Sequence, residues 1–577
     1  MKGFFGKFLI IDLDKKKWYP EKISDSELSF SLGGKGLASE LLLKYQPAGI
    51  HPSSSENPLI FAVGPVTDTY LYGSSRYGVY TKSPLTGFFC ESYSGGKVPE
   101  KISRSGYDAI VITGKCNELS CILITSDNVE IIDASKLKGL NCYETERLLS
   151  QEYPDSGVLT IGPAGEKGIP FSIISNDYWR CAGRAGAGAV MGNKNIKAIV
   201  FKGDKKREVA NIEELKKFSQ EILETKKNHP TTSAYKRFGT PMMVDLLNKV
   251  RAFPTKYWHK GFFEDYEKIN ADAMQNKMDV KPKACSKCFM ACGKLSQVKE
   301  GRHKGLKIEG PEYETIYAFG GLCMINDITE IAYLNDLCDR LGMDTITVGN
   351  LVALAMEASE KGKIKEIVRF GSVDDAEKLI MDIGEIKGLG AILAQGIKKA
   401  SKDLGMEDYA IHVKGLEPAG YDPRYLKGMG LSYGVSDRGA CHLRTTFYKA
   451  ELSGMISPDT IEKKVELILD FEDRLTLFDS LIICRFYRDF YLWDELSRII
   501  ELTTGMNCDK ECLKKLSAKI NDTIRGYNIR EGLTEKDDYL PERFHKEPLP
   551  ETGAVIKKED FQKMLDEYYQ FRGWKRE

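Results

Sequence analysis

The sequence predicts an α+β protein: a β-rich N-terminal platform followed by a mainly helical remainder. Short runs of β-branched and aromatic residues, separated by Gly and Pro turns, recur to about residue 205. From Ile212 onward the apolar residues fall at helical spacing instead. A composition of 42% hydrophobic and 29% charged residues over 577 positions places the chain in the soluble globular class and excludes a disordered or fibrous one.

Six strands are legible in the first part: Phe8-Leu-Ile-Ile-Asp-Leu13, Leu59-Ile-Phe-Ala-Val63, Tyr77-Gly-Val-Tyr80, Ala109-Ile-Val-Ile112, Cys121-Ile-Leu-Ile-Thr125 and Ala198-Ile-Val-Phe201. The polar stretch Lys202-Gly-Asp-Lys-Lys-Arg-Glu208 closes this half, and helical periodicity opens at Ile212-Glu-Glu-Leu-Lys-Lys-Phe218. Further helices are expected over Ile328 to Leu341, Val348 to Glu360 and Pro458 to Phe478, with a weaker break at Gly415-Leu-Glu-Pro-Ala-Gly-Tyr-Asp-Pro423. The expected domains are 1–208, 209–416 and 417–577, with no internal repeat.

Lys plus Arg and Asp plus Glu each total 83, a balance that argues against a polyanionic partner such as nucleic acid. No apolar run reaches the length of a membrane span. The run at Phe8 to Ile11 is broken by Lys7 and Asp12 and has no cleavage signal, so a cytoplasmic protein is expected. In a reducing compartment, fourteen cysteines point to metal binding or catalysis rather than disulfides. Cys285-Ser-Lys-Cys288-Phe-Met-Ala-Cys292 can wrap one face of an iron-sulfur cluster. A structural zinc and three buried thiols are the competing readings. Cys323, Cys338, Cys441, Cys484, Cys508 and Cys512 each qualify by sequence as a fourth ligand.

Two glycine loops fail the common nucleotide templates. Leu32-Gly-Gly-Lys-Gly-Leu-Ala38 lacks the spacing and hydroxyl of a phosphate loop. Cys181-Ala-Gly-Arg-Ala-Gly-Ala-Gly-Ala-Val-Met-Gly192 runs into a strand where a dinucleotide fingerprint needs a helix and a later acid. Its glycines and Arg184 suit either an anionic ligand close to the backbone or a tightly packed turn.

Over nearly its whole length the chain resembles the tungsten-containing aldehyde:ferredoxin oxidoreductase family. The resemblance rests on the two glycine loops, Val63-Gly-Pro-Val-Thr67, Thr81-Lys-Ser-Pro-Leu-Thr-Gly87, Ser94-Gly-Gly96, the cysteine run, Gly310-Pro-Glu-Tyr-Glu-Thr315, Asp339-Arg-Leu-Gly-Met-Asp-Thr345 and Asp437-Arg-Gly-Ala-Cys-His-Leu-Arg444, in that order. It implies an N-terminal domain of two β-sheets forming a platform for a tungsten bis-pterin, and two mainly α-helical domains closing over the metal. The first helical domain would carry the cysteine loop and an active-site Glu, the second an active-site His and the fourth cluster Cys.

By resemblance, Cys285, Cys288, Cys292 and Cys484 hold a [4Fe-4S] cluster. Asp339 and Asp479 accept from pterin N–H groups, with Gly342, Met343 and Asp344 in the first of these two segments. The second, Asp479-Ser-Leu-Ile-Ile-Cys484, has Ile482 where the family has glycine. Arg76, Arg184 and Arg444 would meet cluster and pterin phosphate, as guanidinium forks suit. Gly95, Gly96, Gly183 and Gly186 would line the cofactor, and Mg2+ would bridge the pterin phosphates through backbone carbonyls. Tyr93 stands where the family has Asn.

Around the metal the resemblance points to Glu314 and His442 as catalytic residues, with Tyr313 and Thr345 lining a substrate pocket. On the residues alone Glu314 reads as a solvated acid, with Glu312 close enough to be confused with it, and His442 as a satisfied core histidine; the motif match reverses both. Glu314 would take a proton from the attacking water, and His442 would hydrogen-bond the carbonyl oxygen. The implied reaction turns a small aldehyde and water into a carboxylic acid, two protons and two electrons, which leave for ferredoxin or a separate iron-sulfur electron-transfer subunit. Between His303 and His412 there is no histidine, so no metal-bridged interface is expected; homodimerisation stays open. The alternatives are a catalytic subunit acting on another substrate, by aryl-thioester ring reduction or carboxylic acid reduction within a larger complex, and a purely electron-transferring cluster protein.

Overall fold

A computed structural model describes residues 1–575. Two mixed sheets of six strands each build the N-terminal part. The first runs Lys17–Lys22, Lys7–Asp12, Ala109–Thr113, Leu59–Ala62, Tyr77–Lys82, Phe89–Ser94; the second runs Val129–Asp133, Ser120–Thr125, Ile196–Lys202, Gly157–Thr160, Ile174–Asn176, Arg180–Ala182. In each sheet only the second and third strands are parallel. Strand for strand, in chain order and in pairing sense, the second sheet repeats the first. The chain therefore contains an internal duplication, contrary to the expectation of no repeat. The two halves share geometry rather than residues, which hides the duplication from a sequence reading.

Strand alternation explains the layering. Leu9, Ile11, Ile110 and Ile112 of the first sheet meet Ile122, Ile124, Leu159, Ile199 and Phe201 of the second between the sheets. The intervening Phe8, Ile10 and Val111 face outward onto Leu37, Leu41 and Leu42 of the helix Gly34–Tyr45 and Ile520, Ile524 and Tyr527 of the helix Lys510–Arg530. A C-terminal helix thus covers the N-terminal platform.

The remainder is mainly helical, and the helices Ile212–Lys226, Ile328–Leu341, Thr345–Glu360 and Lys464–Leu481 lie where periodicity placed them, within a few residues except at the last start. One region departs from expectation. Met278–Lys283, Gly293–Val298 and Lys307–Glu309 form a three-stranded antiparallel sheet, and the cysteine run is the loop joining its first two strands. The backbone enters the left-handed region at Lys287 (φ 48°) and Ala291 (φ 46°), each directly before a cysteine, which curls the loop on itself.

The helices Ile328–Leu341 and Lys464–Leu481 end alike, in left-handed caps at Gly342 and Ile482 (φ 60°). Each end docks on an equivalent turn of the duplicated platform. A Cβ on Gly162 would stand 2.3 Å from Leu341 O, and one on Gly64 would stand 1.9 Å from Leu481 O. Glycine is required at both turns because a backbone carbonyl occupies the side-chain position.

Candidate active site

A cavity of about 390 Å³ opens where platform, cysteine loop and helical part meet. Its lining unites Arg76 and Gly95 from the first sheet, Trp179 and Cys181 from the second, Cys292, the segment Glu312, Tyr313 and Glu314, His442, and Cys484 with Arg485 and Arg488. Glu314 reaches it from the short helix Tyr313–Thr315. One carboxylate oxygen accepts from the Gly420 N–H at 3.0 Å; the other has no hydrogen-bond partner and lies 3.6 Å from His442 Nε2. Burial pushes the Glu314 carboxyl up to about 7 against the opposing effect of that backbone bond. Burial, then the charges of Arg184, Arg438, Arg485 and Arg488, holds His442 well below its ordinary value, so its imidazole is neutral and can donate.

Glu312 lines the same cavity, but its carboxylate accepts from the Thr240 hydroxyl. Tyr313 donates to Gly420 O and stacks with Tyr317. Thr345 is not among the lining residues; its hydroxyl bonds that of Thr315, beside Glu314, at 2.9 Å.

Cys484 lies 4.0 Å from Arg76 Nη1. Burial and the neighbouring Cys484 and Cys285 thiols push the Cys288 thiol up to about 11, and burial raises Cys292, which also feels Cys288 and Cys484. A Cβ on Gly95 would stand 2.9 Å from Cys285 Sγ, so this turn needs glycine for the cysteine loop to approach. Gly96 (φ +102°) is pinned by Asp177, whose carboxylate occupies its side-chain position.

The other candidate fourth ligands are placed elsewhere. Cys323 donates to Gly349 O, Cys338 is buried in its helix, and Cys441 accepts from Arg438. Cys508 and Cys512 are joined in a disulfide, their Cα atoms 5.4 Å apart, around Asp509, the cap of the helix Lys510–Arg530. That corrects the expectation that cysteines here avoid disulfides: the helix start places the pair side by side.

The remaining sequence-derived residues form two buried groups outside the cavity lining. Arg184 pairs with Asp344 at 3.1 Å and donates to Glu417 O, and burial raises the Glu417 carboxyl to about 7. Arg444 pairs with Glu91 and, at 3.1 Å, with Asp479, which also pairs with Arg485; burial brings Arg444 down to about 10. Arg444 Nε and Nη2 have no partner. Asp339 accepts from Asn335 at 2.7 Å, and burial holds its carboxyl well above the usual range. Met343 is core. In the long glycine loop, a Cβ on Gly186 (φ +84°), Gly188 or Gly192 would meet a backbone oxygen within 2.3 Å, whereas Gly183 faces nothing nearer than 3.9 Å. Three of its four glycines are therefore packing positions.

Sequence reasoning missed Lys35, buried between Glu91 and Asp437, and the pair Arg485 and Arg488. Two arginines inside the apolar stretch Leu481 to Tyr491 were the available signal.

Residues 8–203 match the family model described as "Aldehyde ferredoxin oxidoreductase, N-terminal domain", and residues 217–577 match "Aldehyde ferredoxin oxidoreductase, domains 2 & 3". The chain belongs to the aldehyde ferredoxin oxidoreductase family. It is an oxidoreductase of that family by sequence as well: the tungsten-containing aldehyde ferredoxin oxidoreductase of Pyrococcus horikoshii is 35% identical, with 100% of this chain and 97% of the relative covered. The Pyrococcus furiosus enzyme of the same description is 34% identical over the same shares. A second Pyrococcus furiosus relative, described as an aliphatic sulfonate oxidoreductase, WOR-like subunit, is 28% identical, with 100% and 95% covered. Among solved structures, the active site complex BamBC of benzoyl coenzyme A reductase has the same fold, with a TM-score of 0.84, 24% identity and coverage of 100% and 95%. No helix among the described residues is long and apolar enough to cross a membrane.

Proposed function

We propose that this chain oxidises an aldehyde to a carboxylic acid, with water as the oxygen source, and passes the two electrons through a [4Fe-4S] cluster to ferredoxin. The observation that carries the reading is the single cavity joining Glu314, with one unpartnered oxygen, neutral His442, and the thiols of Cys292 and Cys484. The residues present fit a tungsten bis-pterin. Buried polar atoms of Glu314, His442, Thr446 and Arg485 line the cavity without partners, and Arg444, paired with Asp479, offers two further free N–H groups. Cys285, Cys288, Cys292 and Cys484 would hold the cluster, and backbone oxygens would hold Mg2+, which would offset the charge of the pterin phosphates. When bound, the tungsten centre supplies the two-electron oxidising equivalent.

The chain's own contribution is to bind, orient and move protons. Glu314, its carboxyl near 7, accepts the proton of the water that adds to the carbonyl carbon. The backbone N–H of Gly420 fixes one Glu314 oxygen and leaves the other for that task. His442 donates from its neutral ring to the carbonyl oxygen as charge develops there. Aldehyde plus water gives acid, two protons and two electrons. Glu314→Gln should abolish turnover of an aldehyde panel in a dye-reduction assay on anaerobically purified enzyme, with tungsten and iron contents unchanged. Retained turnover would sink the assignment of Glu314, and zinc in place of tungsten and iron would overturn the whole reading.

A further inference from the structure

Arg488 lies in the wall of the same cavity, 4% exposed, four positions after Cys484. Its Nη1 donates to Arg485 O at 3.0 Å, and its buried Nε has no partner. Two carboxylates in its neighbourhood are already taken: Asp489 by Lys449, and Asp470 by Arg474 at 3.7 Å and the Trp493 N–H at 2.9 Å. Three cations thus share two acids, and Arg488 forms no ion pair among the described residues. Burial first, and the Arg488 charge next, lowers the Lys449 ammonium. Burial opposes the Arg488 charge and Asp489 favours it, but the Asp489 carboxylate is held by Lys449, so the guanidinium keeps hydrogen-bonding capacity to spare.

What surrounds it describes the ligand. His442 stacks on Tyr421 (centroids 5.7 Å apart), Tyr421 stacks on Tyr448 (4.0 Å, 13° between planes), and Tyr448 lines the same cavity as Arg488. Tyr235, in the same lining, packs on Phe486 at 4.5 Å. Aromatic faces therefore line the cavity between the proposed reaction centre and a guanidinium with no ion-pair partner among the described residues.

We propose that Arg488 binds the anionic end of the substrate, and that the aldehyde oxidised here carries a carboxylate, joined to its carbonyl by a flat apolar spacer. The inference rests on the aldehyde-oxidase reading of the same cavity. One planar fork with one charge matches one carboxylate, whereas a phosphate dianion asks for more cations, and the neighbouring Arg485 is already paired with Asp479. The balanced reaction is oxo-acid plus water to dicarboxylic acid, two protons and two electrons.

The experiment compares 4-carboxybenzaldehyde, its methyl ester and benzaldehyde with the anaerobic holoenzyme, and measures terephthalate binding by calorimetry without an electron acceptor. The wild type should favour the acid over the ester by about 10- to 100-fold in kcat/KM, the range of a charge-assisted pair. Arg488→Gln should remove that preference through KM, leave the ester unchanged and abolish terephthalate binding, while Arg488→Lys should restore part of it. Equal use of acid and ester by the wild type overturns the proposal and needs no variant. Loss of tungsten and pterin from Arg488→Gln would overturn it by assigning the guanidinium to the cofactor, and better turnover of an aldehyde phosphate monoester would overturn the carboxylate. If no aldehyde is oxidised, the oxidase reading fails, yet Arg488-dependent terephthalate binding would still support the anion site and its absence would reject it.

Discussion

At the cavity wall, burial pushes Glu314 toward its neutral form and strips His442 of its charge, so one acid and one base titrate in opposite senses from the same cause. If Glu314 must be ionised to accept a proton, turnover should fall about tenfold per pH unit below about 7 and level off above it. A limb near 4.5 would mean that another group is the base. The raised carboxyl also has a thermodynamic signature. In the unfolded chain it ionises at its ordinary value of 4.5, so native stability is lost as pH rises from there through about 7, by up to ~3 kcal/mol at about 1.4 kcal/mol per unit. Glu314→Gln, inactive by the same argument, should therefore melt above the wild type at pH 8 and converge with it near pH 4. His442→Asn should keep its cofactors and lose about 10²- to 10³-fold in kcat, the effect of removing one donor to a developing oxyanion.

At the scale of elements, two helices meet two equivalent turns of a duplicated platform, and glycine is the condition of each meeting. Gly64→Ala or Gly162→Ala would drive a methyl into Leu481 O or Leu341 O and should cost about 1–3 kcal/mol each, read as a lowered denaturation midpoint. Because each helix end also carries an acid proposed to hold a pterin, Asp479 or Asp339, both variants should lose tungsten as well as stability. Ile482 shows where the duplication has drifted. A β-branched residue in the left-handed region costs about 1–2 kcal/mol, but its side chain is 1% exposed and reaches toward Gly34. Restoring glycine at 482 should therefore destabilise on balance, since losing a buried aliphatic chain costs about 2–5 kcal/mol. These elements also show what was readable in advance. All six strands that carry a continuous apolar run were legible. The missed strands of the platform are the solvent-facing edges Lys17–Lys22 and Val129–Asp133, the four-residue Gly157–Thr160, the polar Phe89–Ser94, and the three-residue Ile174–Asn176 and Arg180–Ala182, too short for any period to register. The site residues near motifs were named, while the roles of Arg488 and Lys35 were not, since whether a buried cation pairs with distant acids, as Lys35 does with Glu91 and Asp437, or with none, as Arg488 does among the described residues, is a property of packing that no local sequence pattern expresses.

Across the whole molecule the charges cancel, yet they do not cancel evenly over its surface. Beside the cysteine loop lies a groove of about 680 Å³ lined by Arg104, Lys206, Arg207 and Lys287 but only two acids, Asp68 and Glu100. Arg104 takes Asp68 in a two-pronged pair, and Arg207 is turned inward onto Asp108. Lys206 and Lys287 form no ion pair among the described residues, and Lys287 sits 5.5 Å from the half-exposed ring of Tyr70. Ser286 and Lys287 sit between Cys285 and Cys288, two of the proposed cluster ligands, so a carrier docked here would lie beside the proposed cluster. A net positive patch of this kind steers an acidic partner and acts mainly on the association rate, with a strong dependence on ionic strength. Lys287→Glu should accordingly raise KM for ferredoxin and flatten the fall of its rate between low and physiological salt, while turnover with a small neutral dye stays at the wild-type level. An equal loss with dye and ferredoxin would place the damage at the cluster itself, and an unchanged KM would move the docking face elsewhere on the molecule.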